Sequence, residues 1–425
     1  MDNRINITAS RETLIAEFNR VRCCTEALCS PLSTDDYQIQ SVAQTSPPKW
    51  HIAHVSWFFE AFVLPHFDPD YIPFHPRFDF LFNSYYYTHG EMHPRPNRGL
   101  LSRPTVEEIY RYRSYVDDSM RRLMESVDET DWQTLAYRVI LGLNHEEQHQ
   151  ELLLMDTKHN FSVNPLLPAY RKDLKIPEGS TRAIRWLDCS GGIHQVGQNS
   201  AAFSYDNETP RHDVLLHDYR LADRFITNGE YSNFIEDGGY NNPALWLSDG
   251  WALHQRPGWD CPLYWQQLEG GRMQFTLAGM RPLNLHEPVC HLSFYEADAY
   301  ARWAGKRLPL ESELEILLSN HSVSGNFADS DLLHPAPAGE EGQWFGDLWA
   351  WTGSPYTAYP GFKPLAGSMG EYNGKFMSNQ MVLKGGSCVT PYGHTRASYR
   401  NFFYPDERWA FTGLRLAEDA GAPSC

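Results

Sequence analysis

The strongest constraint in this sequence is a break in its periodicity near Lys158. Before it, apolar residues recur at helical spacing in four long segments; after it, short apolar runs are separated by Gly, Pro, Asn and Trp. Patterns of period 3.6 and of no fixed period call for separate cores. The length, 425 residues, points the same way, since a single core seldom grows past about 250–300 residues. The expected fold class is α+β: a four-helix bundle over residues 1–160, a linker over 161–183, and an irregular domain over 184–425.

The helical segments have recognisable ends. One runs from about Thr13 to Leu28. The second enters at Pro47-Pro48, a pair that suits a first turn but no helix interior, and carries Trp50, Ala53, His54, Trp57 and Phe58. Thr105 with Glu108 three residues later forms a capping-box pattern for a third, to about Val127. The fourth extends from about Trp132 to Met155. The 65–104 connection is too long to be a mere turn. In the second region two stretches read as helices, Asn228–Asp237 and Ser293–Trp303.

Composition removes whole classes of function. Thirty-six Lys plus Arg against 53 Asp plus Glu give a net charge of −17, which disfavours nucleic acid as a partner. No run of about 18 apolar residues is present, so no membrane span is expected. The start, MDNRINITASRETL, is polar where a secretory signal would be apolar, and the expected location is cytoplasmic. Eight Cys without CxxC spacing read as reduced, mostly structural thiols.

Chemistry concentrates in Asn144-His145-Glu146-Glu147-Gln148-His149-Gln150-Glu151. Imidazoles four residues apart differ by ~40° around a helix, so His145 and His149 can face one metal ion. Leu141, Leu152 and Leu153 flank them and turn the pair toward the bundle interior. A third ligand is available in the second helix. There His54 sits on the apolar stripe between Trp50 and Trp57, while His51 points ~60° away. Three neutral imidazoles suit Fe, Zn, Cu or Ni and leave positions open for substrate. The same five residues also satisfy HExxH, the zinc-peptidase pattern, with Glu146 as general base. Between the two histidine-bearing helices lie Tyr85, Tyr86 and Tyr87, whose phenols beside a metal can protonate a reduced oxygen species, and Arg95 and Arg98, able to clamp a carboxylate.

These motifs resemble a known family. HEEQHQE with the upstream Trp50-His51-Ile52-Ala53-His54 is similar to the DinB-like domain of the ergothioneine-biosynthesis sulfoxide synthases. Glu208-Thr209-Pro210-Arg211-His212, Gly305-Lys306-Arg307-Leu308-Pro309, Gly346-Asp347-Leu348-Trp349, Lys384-Gly385-Gly386-Ser387 and Gly413-Leu414-Arg415-Leu416 look like successive signatures of an FGE-sulfatase domain, which is C-type-lectin-like. That order of domains is the architecture of the family.

The resemblance implies a non-haem Fe(II), O2-dependent enzyme that joins a cysteine-type thiol, cysteine or γ-glutamylcysteine, to hercynine and oxidises the sulfur to a sulfoxide. It assigns Fe(II) to His54, His145 and His149, and places Glu151 behind the ligands. Hercynine falls to Gln148, Asn401 and Phe402, and the proton-donating role to Tyr85 and Tyr86. Arg95 and Arg98 are then candidates for the carboxylate of the thiol. Two positions depart from the family pattern: Phe403 replaces an acidic residue found in some members, and Ala350 replaces the Glu of Trp-Glu-Trp-Thr. Cys388 lacks a partner at the spacing that formylglycine-generating activity requires. Three other readings stand beside this one: a selenosugar donor yielding selenoneine, the zinc peptidase, and a non-enzymatic binding module.

Overall fold

In the computed structural model, residues 10–199, 202–256 and 258–420 are described. The reading of the chain's start as unlike a signal falls partly on residues 1–9, outside the described ones. The chain forms two compact units, the first comprising residues 10–170 with 202–203 and 364–373, the second the remainder.

Among the described residues, six α-helices build the first unit: α1 (Arg11–Cys29), α2 (Pro48–Phe62), α3 (Leu64–Phe67), α4 (Phe78–Phe82), α5 (Val106–Ser126) and α6 (Glu129–Ser162). The four long ones form the bundle, α2 packing on α5 and α6, and α1 on α6 and α5. Local chemistry sets their starts. Ser10 accepts from the Thr13 N–H at α1, Pro48 occupies the first turn of α2, and Thr105 and Glu108 form the reciprocal capping box of α5. Every residue of α2 except Ala61 is buried, the mark of a central helix.

Helix α6 continues past the expected end at Met155 and past the compositional break. Its last turns are polar but satisfied: Asn160 Oδ1 accepts from the Ser41 N–H at 2.9 Å, and Asn160 Nδ2 donates to the Ile39 carbonyl at 2.9 Å. A strand of loop bonded along the helix lets Lys158 and Asn160 be buried where sequence periodicity has already faded. The long connection after α2 is tied down by Glu60, whose carboxylate accepts from Tyr71 Oη (2.8 Å), the Phe74 N–H (3.0 Å) and Tyr112 Oη (2.7 Å).

The second unit is a set of short sheets. One has four strands in the order Asn401–Phe403, Met381–Lys384, Trp349–Pro355, Thr412–Gly413, antiparallel except for the last pairing. Another joins Trp186–Cys189, Tyr219–Ala222 and Ala417–Asp419. Helices α7 (Asn228–Glu236) and α9 (Phe294–Trp303) lie where the sequence pattern puts them, each with a capping box, from Thr227 to Glu230 and from Ser293 to Glu296. Two further helices escape that pattern, α8 (Ser248–His254) and α10 (Glu311–Ser319). In α10 the glutamates Glu311, Glu313 and Glu315 are buried, paired with Arg400, Arg307 and Lys384. Ala350 lies opposite Lys384 in the sheet, and Lys384 takes its counter-charge from Glu315 at 2.8 Å. Among the described residues no helix is long and apolar enough to cross a membrane.

Candidate metal centre

His54 of α2 and His145 and His149 of α6 come together with one ring nitrogen each within 4.8 Å of the others. Among the described residues this is the one group of three or more His, Cys, Asp or Glu so arranged. Gly142 allows the approach. A Cβ there would lie 2.5 Å from Phe59 Cε1 and 3.0 Å from Phe58 Cε1, so only glycine lets α2 and α6 meet this closely. The Phe58 ring then packs on His145 at 4.9 Å.

All three imidazoles are buried. Burial pushes the His145 pKa down to about 3, and burial with the repulsion of neighbouring histidines drives His54 and His149 well below the usual range. They are therefore neutral and carry lone pairs. His54 Nδ1 donates to the Phe82 carbonyl at 2.6 Å, which leaves Nε2 as the ligand atom. That Nε2 stands 3.2 Å from His145 Nε2. Two nitrogens bound at ~2.1 Å and near right angles to one ion would be about 3.0 Å apart. The donor set fits a divalent transition metal, and metal binding is what this constellation can do.

Aromatic walls hold the first ligand. The His54 ring is stacked between Trp50 (4.5 Å, 14°) and Trp57 (5.4 Å, 15°), whose indole N–H groups donate to the Leu81 carbonyl and to Asp79 Oδ1. The chain around α4 thus supplies the Phe82 carbonyl and the anchors of both tryptophans.

Glu146 is turned away from this group. Its carboxylate accepts from Arg22 and Arg113, each at 2.7 Å, and from Thr25 Oγ1 at 2.6 Å. Burial opposes its ionisation, but Arg113 and Arg22 prevail and hold its pKa down to about 2. A carboxylate so engaged cannot take a proton from water in the site, and the zinc-peptidase reading of HExxH is overturned.

The other expected residues fall at different depths. Arg98 is buried, lies 3.4 Å over the Trp50 ring, and donates to Ser46 Oγ and Ser84 Oγ, both at 3.0 Å. Arg95 is exposed and spends its guanidinium on the Gln44 carbonyl. Tyr86 is buried against Trp57 and Phe62, and burial raises the pKa of its phenol. The Tyr85 ring lies 4.6 Å from that of Tyr86 and 5.4 Å from that of Tyr372. Glu151 is buried on α6.

Tyr372 is a residue that sequence reasoning missed. It belongs to the first unit through the segment 364–373. Its hydroxyl donates to Gln148 Oε1 at 2.8 Å and its ring lies 6.4 Å from that of His145. Next to it, Glu371 accepts from the backbone N–H groups of Tyr87 (3.1 Å) and Thr88 (2.9 Å). No local pattern in that Gly-rich stretch marks it. In the second unit, Asn401 and Phe402 sit on one strand, Asn401 Oδ1 accepting from the Phe402 N–H at 2.9 Å. The Phe402 ring stacks on Tyr356 at 4.1 Å with Phe376 at 5.9 Å, and Phe403 packs edge-on against Trp409.

Comparison with known proteins adds the following. Residues 183–420 match the family described as the sulfatase-modifying factor enzyme 1-like domain, and residues 17–153 match the DinB superfamily. The hercynine oxygenase of Mycolicibacterium smegmatis is 30% identical, covering 96% of this chain and 99% of that protein. That of Mycobacterium tuberculosis is 31% identical with the same coverage. The formylglycine-generating enzyme of Streptomyces coelicolor is 30% identical over a shorter stretch, 37% of this chain and 53% of the relative.

Proposed function

The chain belongs to the hercynine oxygenase family, and on that premise we propose that it is an Fe(II)- and O2-dependent sulfoxide synthase of ergothioneine biosynthesis. Its substrates are hercynine and a cysteine-type thiol. The observation that carries this reading is the buried group His54, His145 and His149 in a chain that matches hercynine oxygenases over 96% of its length. Chemically, the C2–H bond of hercynine and the S–H bond of the thiol are lost and a C–S bond forms. The sulfur then takes one oxygen atom. The four electrons released reduce O2, its second oxygen leaving as water with the two protons.

Fe(II), held by the three histidines, would supply O2 reduction and an acidic position at which a thiol gives up its proton. The remaining tasks fall to this chain's side chains. Arg98 is a buried cation whose bonds are to two serine hydroxyls and which has no ion pair among the described residues. Such a charge favours an anionic partner, and the carboxylate of the thiol supplies one. Arg95, exposed and bonded to a backbone carbonyl, would act at most from the rim. Gln148, its carboxamide oriented by Tyr372, would contact hercynine. Tyr86 keeps its proton because burial opposes the phenolate, and Tyr85 beside it joins it as a candidate proton donor. Asn401 and Phe402 are also proposed to contact hercynine. With one Phe402 face stacked on Tyr356, its role is to offer apolar surface more than an open π face to the trimethylammonium.

The test is anaerobic Fe(II) reconstitution followed by O2-uptake measurements. Uptake should require hercynine together with cysteine or γ-glutamylcysteine, and His145→Ala should abolish it. Uptake indifferent to hercynine, or unchanged in variants of all three histidines, would refute the proposal. A third arm with a selenosugar separates sulfur from selenium transfer.

A further inference from the structure

Behind the three histidines stands a fourth, His51, one turn before His54 on α2 and equally buried. His51 Nδ1 lies 2.9 Å from His149 Nδ1, and His51 Nε2 lies 3.0 Å from Asp156 Oδ2. Asp156 is itself buried, and its Oδ2 also accepts from the Ser46 backbone N–H at 2.7 Å. Asp156 follows His149 by seven residues on α6, two helical turns, so the two share one face.

The direction of these hydrogen bonds can be derived from either end. A carboxylate accepts and does not donate, so the proton between Asp156 and His51 sits on His51 Nε2. In the neutral ring, Nδ1 of His51 then bears a lone pair and must accept from His149 Nδ1–H. That leaves the lone pair of His149 on Nε2, the atom available to a metal. Starting from the metal gives the same answer: a His149 that coordinates through Nε2 carries its proton on Nδ1 and must donate it to His51. The two ends demand one arrangement, and nothing in it is frustrated.

We propose that His51 and Asp156 form a positioning relay that fixes the tautomer and rotation of His149 and strengthens its donor nitrogen. The inference rests on the metal-centre reading above and extends it to residues that stand behind a ligand. His54 is fixed by the Phe82 carbonyl, a neutral acceptor, whereas His149 is fixed through an imidazole by a carboxylate. His149 is thereby the ligand with the greater electron donation. His145 has neither device, its buried Nδ1 lacking a hydrogen-bond partner among the described residues.

The experiment uses the full chain, stripped of metal and titrated anaerobically with Fe(II) and with Co(II) against a competing chelator. His51→Leu removes the relay, and Asp156→Asn keeps its shape while removing the charge. Kd for both ions should rise about 10–100-fold in His51→Leu and by a smaller factor in Asp156→Asn. In the Co(II) protein the hyperfine-shifted Nδ1–H resonance of His149 should exchange with solvent faster in both variants, while that of His54 stays unchanged. A merely structural role for His51 would not produce that selective change. Wild-type affinity and unchanged exchange in Asp156→Asn would overturn the relay while leaving the metal centre intact. Absence of metal uptake by the wild-type protein would overturn the metal centre and the relay with it. If His51→Leu fails to fold, Asp156→Asn decides by the same two readouts.

Discussion

Tyr372 donates a hydrogen bond to Gln148 Oε1 at 2.8 Å across 224 residues of sequence. The bond fixes the rotation of the carboxamide one helical position before His149, and the Tyr372 ring stands between those of Tyr85 and His145 in the chain of contacts, at 5.4 and 6.4 Å. Tyr372→Phe keeps the ring and removes the bond. Folding and metal uptake should match the wild type, while kcat/KM for hercynine should fall about tenfold, or ~1.4 kcal/mol. Steady-state O2 uptake against hercynine concentration checks this, and an unchanged kcat/KM would detach Gln148 from hercynine recognition.

The close packing at Gly142 makes a second prediction. A methyl group placed 2.5 Å from Phe59 Cε1 and 3.0 Å from Phe58 Cε1 has no room, and both rings lie in the tight layer between α2 and α6. Gly142→Ala gains helix propensity but overpacks this layer, with a net loss of about 1–3 kcal/mol. Because Phe58, also displaced, packs on His145, Co(II) affinity should weaken in the same variant. Urea denaturation of the apoprotein and a Co(II) titration measure the two effects, and a variant at least as stable as wild type would contradict the packing argument.

How much of this was legible in the sequence depends on the range of the interaction. The pair His145 and His149 needs only the 3.6-residue period to be seen, and His54 needs only the apolar stripe around Trp50 and Trp57. Asp156 was also within reach, since seven residues after His149 returns to the same face of α6. Tyr372 was not, because its partner is set by the fold and its neighbours are Gly and polar residues. Glu146 is a related case: the HExxH string is local, but the arginines that neutralise it come from α1 and α5. The same blindness hid α10, whose buried glutamates owe their position to cations distant in sequence. Periodicity reports burial of apolar side chains and is silent on buried charges satisfied from afar.

Asp347 in the second unit supplies a pH dependence. Burial pushes its carboxyl up to about 6, although the Ala336 N–H, Asn326 Nδ2 and Gln343 Nε2 all donate to it and pull the other way. The folded pKa lies above the unfolded value of 3.8. The folded state therefore binds more protons between these values. The contribution to stability is complete below pH ~3.8 and is lost as pH rises through about 6, a change of about 3 kcal/mol. Asp347→Asn has nothing to titrate and should lack that component. Unfolding free energies of both proteins from pH 4 to 7.5 test this, and parallel profiles would show that Asp347 ionises normally.

Glu146 carries the last prediction, because its environment assigns it to stability and withholds it from chemistry. Its two oxygens are shared among Arg22, Arg113 and Thr25, all buried, and Arg22 is held in addition by Asp117 at 2.7 Å. Glu146→Gln is nearly isosteric but leaves two guanidinium groups short of charge in a medium where unpaired ions are costly. The loss of stability should be about 3–5 kcal/mol. A catalytic base at this position would give the opposite signature, with a stable protein and turnover reduced by orders of magnitude. Per molecule of folded, metal-loaded protein, turnover of Glu146→Gln should instead stay within about threefold of wild type. Measuring denaturation and hercynine-dependent O2 uptake on one preparation separates the two cases, since each role moves one readout and spares the other.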